Sequence, residues 1–131
     1  MVDANVILDV FTEDPAWASW SVSEIENCAA HGPLVINPVV YAEVSVRYSR
    51  KEELDLALAP GDYRRDPLPW QAAFLAGRCF VEYRRHGGMR RSPLPDFFIG
   101  AHAAVNDMRL LTRDARRYRT YFPTLRIIAP R

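Results

Sequence analysis

The spacing of apolar positions changes several times along the chain, and each change marks an element. Val2 opens a short first strand, and residues 5–11 continue as a helix with Val6, Leu8 and Val10 apolar. Pro15 suits the first turn of a second helix, which carries Trp17, Trp20, Ile25 and Cys28 and stops near His31-Gly32. Leu34-Val35-Ile36 reads as a buried strand ended by Asn37-Pro38. The pattern then predicts helices over residues 39–48, 52–59 and 70–85, the last ending at Gly87-Gly88. A helix from Pro95 or Asp96 to Asn106, a strand over 109–112, a helix over 114–121 and a strand over 125–129 complete the chain, with loops at 61–69 and 87–95.

Short aliphatic strands separated by helices predict an α/β protein, a parallel sheet covered by helices on both faces. With 131 residues, 49% of them hydrophobic, one domain over 1–131 is expected. In such a sheet the ligand crevice lies outside the carboxyl ends of the strands, so residues just after a strand are where chemistry is sought.

Charge is distributed unevenly. Residues 1–60 hold three Lys/Arg against ten Asp/Glu, a net of −7; residues 61–131 hold fourteen arginines against six acids, a net of +8. Lys51 is the only lysine, so the basic half is all arginine, whose planar fork suits phosphate. A genome rich in G and C would give the same bias. Arg84, Arg85, Arg90 and Arg91 nevertheless crowd the approach to Asp96, while Arg113 and Arg116 flank Asp114, and these six are candidate RNA contacts. Arg117 and Arg119 also surround Asp114 and suit neutralising the acids. Cys28 and Cys79 stand apart from each other and from the histidines, which argues against a disulfide framework or a thiolate zinc site. No stretch has the length of a membrane span and the start lacks a secretory pattern, so a cytoplasmic protein is expected.

Four acids stand out by position. Asp3 and Asp114 follow strands, whereas Glu43 and Asp96 come from helices. Glu43 shares a helix face with Val39, Val40 and Val46, and Asp96 with Ile99, Gly100 and Ala103, so both point toward apolar surroundings. A buried carboxylate costs several kcal/mol unless it is paired, hydrogen-bonded or bound to a cation. Asp3, Asp96 and Asp114 each also suit a helix cap; Glu43, in mid-helix, does not. Taken together, four acids from four segments would repel one another without a cation. An all-oxygen set suits magnesium or manganese, and such an ion can drive phosphodiester hydrolysis.

These segments resemble the motifs of PIN-domain nucleases, in particular the VapC toxins of bacterial toxin–antitoxin pairs. V-D-A-N-V-I-L-D is similar to the first motif, with Asp3 in the metal-binding place and Asn5 hydrogen-bonding beside it. N-P-V-V-Y-A-E-V is similar to the second, placing Glu43, and L-P-D-F-F-I-G-A-H-A to the third, placing Asp96. L-L-T-R-D-A-R-R-Y is similar to the fourth, placing Asp114 with Thr112 beside it. The resemblance runs through nearly the whole chain. It implies a three-layer α/β/α sandwich with a central parallel sheet and magnesium- or manganese-dependent endonucleolytic cleavage of RNA. It further implies a homodimer, and inhibition by a small protein antitoxin that inserts into the active-site groove. Only two residues precede Asp3, fewer than the family's first strand usually has.

Other polar residues are set aside. Asp9 reads as a solvated or arginine-paired acid, His102 as a hydrogen-bonded structural histidine, and Asp107 lies before a strand, at the wrong sheet edge. Phe11, Trp17, Trp20 and Tyr41 suit core or dimer contacts. A receiver domain would need a late lysine, and a haloacid-dehalogenase-like phosphatase a second Asp at position 5; the chain has neither. The rival reading is a catalytically weak module of the same fold that binds RNA or a protein partner without cutting.

Overall fold

Three of the four strands expected from the sequence form, shortened to two residues each, and the first is reduced to a single bridge between Val2 and Leu111. In the computed structural model, which describes residues 1–131, β1 (Val35–Ile36) pairs in parallel with β2 (Arg64–Arg65), and β3 (Leu110–Leu111) with β4 (Ile127–Ile128). The first three residues bond to both pairs. The Val2 amide donates to the Val35 carbonyl, the Leu111 amide to that of Met1, and the Asp3 amide to that of Leu111, each at 2.9 Å. The α/β class is as expected, but the strands form two short parallel pairs stitched by the N-terminal segment rather than one regular central sheet. Asn37-Pro38 limits β1, because proline has no amide to donate and starts a helix.

β2 lies inside the expected loop 61–69. Its two arginines are exposed and carry no apolar signature, and main-chain bonds make the strand: the Arg64 amide donates to Leu34 (2.7 Å) and the Asp66 amide to Ile36 (3.0 Å).

Seven helices pack around these pairs: α1 (Ala4–Phe11), α2 (Ala18–His31), α3 (Pro38–Ser45), α4 (Lys51–Ala57), α5 (Trp70–Arg85), α6 (Pro95–Val105) and α7 (Arg116–Tyr121). Asn37 caps α3 by accepting the Val40 amide at 2.9 Å, and Pro38 fills the first turn. This helix stops three residues short of its expected end, so Val46 is 81% exposed instead of sharing the inner face with Glu43. α5 ends as expected, with Gly87 at φ 88°, a backbone region that glycine adopts without strain.

The core gathers Val6, Ile7, Val35, Ile36, Val40, Val44, Phe97, Ile99, Leu110, Leu111 and Tyr118. Each large apolar side chain buried there contributes about 1.5–3 kcal/mol. A close contact joins two of the helices: Gly100 on α6 receives the ring of Phe122, and a Cβ at position 100 would fall 2.4 Å from that ring. Gly100 lies one turn after Asp96, and Phe122 one turn after Tyr118. The glycine therefore lets α7 lie close against α6 and brings Tyr118 to Asp96.

Candidate active site at the carboxyl ends of the strands

Asp3 leaves the N-terminal segment at its carboxyl end and occupies the residue before α1, yet its side chain caps nothing. Its Oδ2 instead accepts hydrogen bonds from the Thr112 hydroxyl (2.9 Å), the Tyr118 hydroxyl (2.8 Å) and, at 3.5 Å, Asn5 Nδ2. Asn5 Nδ2 also donates to Thr112 Oγ1 at 3.3 Å, and its Oδ1 accepts the Arg113 amide at 3.1 Å. Asn5 and Thr112 thus both lie around Asp3, although the fourth motif set Thr112 beside Asp114. Burial, then the charge of Asp96, pushes the Asp3 carboxyl up to about 6, against the opposing pull of the Tyr118 and Thr112 hydrogen bonds.

Asp96 is the second residue of α6, where Leu94 takes the capping position. Its side chain is 31% exposed and pairs with Arg117 Nη1 at 3.1 Å through Oδ2, while the Tyr118 hydroxyl stands 3.4 Å from Oδ1. Glu43 is half-buried on α3, and its Oε1 is buried with no hydrogen-bond partner. Burial first, then the charges of Asp3 and Asp96, push its carboxyl up to about 7. The three acids therefore sense one another across three elements, around the hydroxyl of Tyr118.

Asp114 differs from the others. It is exposed, and its Oδ1 accepts the Arg116 amide at 3.2 Å, while Ala115 rather than Asp114 takes the capping position of α7. It meets Asp96 along an open groove of about 520 Å³ lined by Tyr83, Arg116, Arg117, Thr120 and Tyr121. No group of three acids closes around a single point as a ready ion cage. A tighter cavity of about 200 Å³ lies beneath Met1, among Cys28, Leu34, Arg64 and Arg109; it holds no acid.

The arginines divide. Arg113, a candidate RNA contact by sequence, has its Nε 2.9 Å from Asp9 and its guanidinium over the Trp17 ring; Asp9, 3% exposed, also accepts from Ser21. That guanidinium is spent on a buried acid and holds the loop bearing Thr112 and Asp114. Arg85 pairs with Glu82 (2.8 Å), and Arg84 donates to the Arg90 carbonyl (2.9 Å). Arg90, Arg91 and Arg116 are exposed, and none of their side chains forms an ion pair with an acid. His102 is buried with Nδ1 3.1 Å from Asn37 Nδ2, while its Nε2 is buried without a partner.

Two residues of the site escaped the sequence reading. Arg117 was one of several arginines near Asp114, with nothing to single out its pairing. Tyr118 carried a usable signal: with Tyr121 and Phe122 it keeps helical spacing inside the polar run R-R-Y-R-T-Y, which places a phenol on the inner face beside acids.

No curated protein matches the chain significantly in sequence. Among the solved structures that share its fold are three in which 98% of this chain and 96% of the other are covered. They are VapBC2 from Rickettsia felis bound to a DNA fragment from their promoter (18% identity, TM-score 0.72), VapBC-1 from nontypeable Haemophilus influenzae (18%, 0.73), and DNA-bound VapBC from Salmonella typhimurium (22%, 0.66). The model of the PIN domain matches residues 1–123, and with that match over nearly the whole length the chain belongs to the PIN-domain family.

Proposed function

We propose that the protein is a magnesium- or manganese-dependent endoribonuclease, the toxin of a toxin–antitoxin pair. The observation that carries this reading is the Glu43 carboxylate, whose buried Oε1 lacks a partner beside two further acids. An orphaned buried acid among like charges is a costly arrangement that a divalent cation relieves. Membership of the PIN family supports the nuclease assignment, and the likeness to VapBC structures supports the toxin assignment.

The donor set fits a hard cation: every candidate ligand is a carboxylate oxygen, with no thiol or imidazole among them. Asp3, Glu43, Asp96 and Asp114 would hold it, with Asn5 and Thr112 fixing Asp3. When bound, a cation of this kind polarises a phosphodiester and lowers the pKa of a coordinated water. The chain's own residues do the rest. Arg116 lines the groove where RNA would lie, Arg90 and Arg91 offer unpaired guanidinium groups, and Arg84 and Arg85 add charge to the same segment. A small protein antitoxin in the groove, a homodimer, a cytoplasmic location, one domain over 1–131 and a three-layer α/β/α arrangement complete the proposal.

The second reading, a module that binds RNA or a protein without cutting, is favoured by one observation: Arg117 already fills Asp96 Oδ2. One assay separates them. Purified protein and Asp3→Asn are incubated with a panel of structured RNAs in magnesium, in manganese and in chelator. Cleavage that needs the metal and vanishes in Asp3→Asn is expected; retained RNA binding with no cleavage in any metal would overturn the nuclease.

A further inference from the structure

The acid centre contains one buried group to which the proposed reaction gives no part. Tyr118 is 1% exposed, and its hydroxyl donates to Asp3 Oδ2 at 2.8 Å while standing 3.4 Å from Asp96 Oδ1. Core packing accounts for the ring, but a phenylalanine would pack equally well. The oxygen needs another explanation, because a hydroxyl placed in a core without a purpose costs free energy.

We propose that Tyr118 is a positioning residue for the cation: its hydroxyl fixes Asp3 through Oδ2, links it to Asp96, and leaves both acids oriented before an ion arrives. The inference rests on the reading of this centre as a cation site. The geometry supports it in three ways. Asp3 Oδ2 already takes the Thr112 and Tyr118 hydroxyls, with Asn5 behind them, so Oδ1 is the oxygen that Asp3 would offer a cation. Tyr118 gives its one proton to Asp3 in the N-terminal segment while the same oxygen lies 3.4 Å from Asp96 on α6, so a single side chain touches both acids. Its helix cannot drift, because Phe122, one turn on, is seated against Gly100.

Groups that hydrogen-bond a metal's ligands typically change metal affinity 10–100-fold when removed. The test is Mn²⁺ binding by electron paramagnetic resonance to the wild type and to Tyr118→Phe, with the thermal midpoint of each metal-free protein measured alongside. The expected result is a Kd raised about 10–100-fold in a variant that remains folded. An affinity within about twofold of wild type, even with a lowered midpoint, would show a merely structural tyrosine and overturn the inference, since 10-fold is the least expected. If Tyr118→Phe does not fold, the wild type labelled with ¹³C at tyrosine Cζ decides the matter. The Tyr118 signal should move as Mg²⁺ is added while those of Tyr41, Tyr48 and Tyr63 stay; a Tyr118 signal that also stays put overturns the inference. A wild type that binds no Mn²⁺ overturns the cation site itself, whereas a binding wild type with an unaffected variant overturns only the role of Tyr118.

Discussion

Asp55 and Glu43 lie on neighbouring helices, α4 and α3, and their carboxylates have opposite surroundings. Asp55 accepts hydrogen bonds from Lys51 (2.6 Å), Tyr41 (2.8 Å) and Arg65 (3.1 Å), whose guanidinium also lies over the Tyr41 ring. The Lys51 and Tyr41 hydrogen bonds draw its carboxyl down to about 2. Glu43 has an oxygen with no donor, and burial with two acid neighbours pushes it up to about 7. An acid supplied with cations by its own chain is finished as it stands. An acid buried among acids is completed only by something the chain does not supply, and that contrast, rather than acidity itself, sets the proposed cluster apart.

The contrast can be broken most directly by exchanging each acid for its amide. Glu43→Gln should lower metal-dependent RNA cleavage by about 100-fold or more, while Asp55→Asn should leave it within about twofold, read as initial rates on the same RNA. Equal losses in the two variants would mean that the partnering of an acid says nothing about its use.

A smaller effect concerns stability against pH in the absence of metal, where the two acids act with opposite sign. Glu43 has its carboxyl raised from 4.5 to about 7. Below pH 4.5 it is protonated whether the chain is folded or not; between 4.5 and 7 the unfolded chain releases a proton that the fold retains. Stability is therefore lost as pH rises through that window, by on the order of 2 kcal/mol. Asp55, lowered from 3.8 to about 2, contributes stability that is present above pH 4 and lost as pH falls through 2. Urea unfolding in chelator should show Glu43→Gln gaining on the wild type from pH 4.5 to 7, and Asp55→Asn converging with it at acid pH. Curves for Glu43→Gln and wild type that run parallel would remove the strain assigned to the centre.

The smallest expected effect sharpens the comparison at its boundary. Arg117, itself partly exposed, is the one cation the chain does supply to the centre, through Asp96. Arg117→Gln should tighten Mn²⁺ binding about threefold by removing that competitor, consistent with the modest strength of a partly solvated ion pair. Weakened binding would instead make the arginine a support of the site.

How much of this could be read from the sequence depends on how local each signal was. Elements were legible where apolar spacing met a clear boundary, as at Asn37-Pro38, which ends β1 and starts α3, and at Gly87, just beyond α5. β2 was not, because Arg64 and Arg65 are held by main-chain bonds to the segment 34–36 and carry no apolar pattern. Of the site, the inward placement of Glu43 followed from Val39 and Val40 on its helix face, and the partners Asn5 and Thr112 from the motifs that hold them. The assignment of Arg113 to RNA missed Asp9, since a buried ion pair between residues so far apart leaves no mark in either segment. The helical spacing of Tyr118 with Tyr121 and Phe122 was a usable sign of its inner face, but its two acid partners lie in distant parts of the chain and left no local mark.

Those distances have a consequence for the birth of the molecule. Asp3 receives its hydrogen bonds from residues 109 and 115 positions later, Thr112 and Tyr118. During synthesis the first acid emerges from the ribosome long before the hydroxyls that orient it, and contacts of such separation form late, after the entropy of closing the loop has been overcome. A nascent chain would therefore carry its acids for most of its translation without an assembled centre, and would acquire one only when α7 docks against α6.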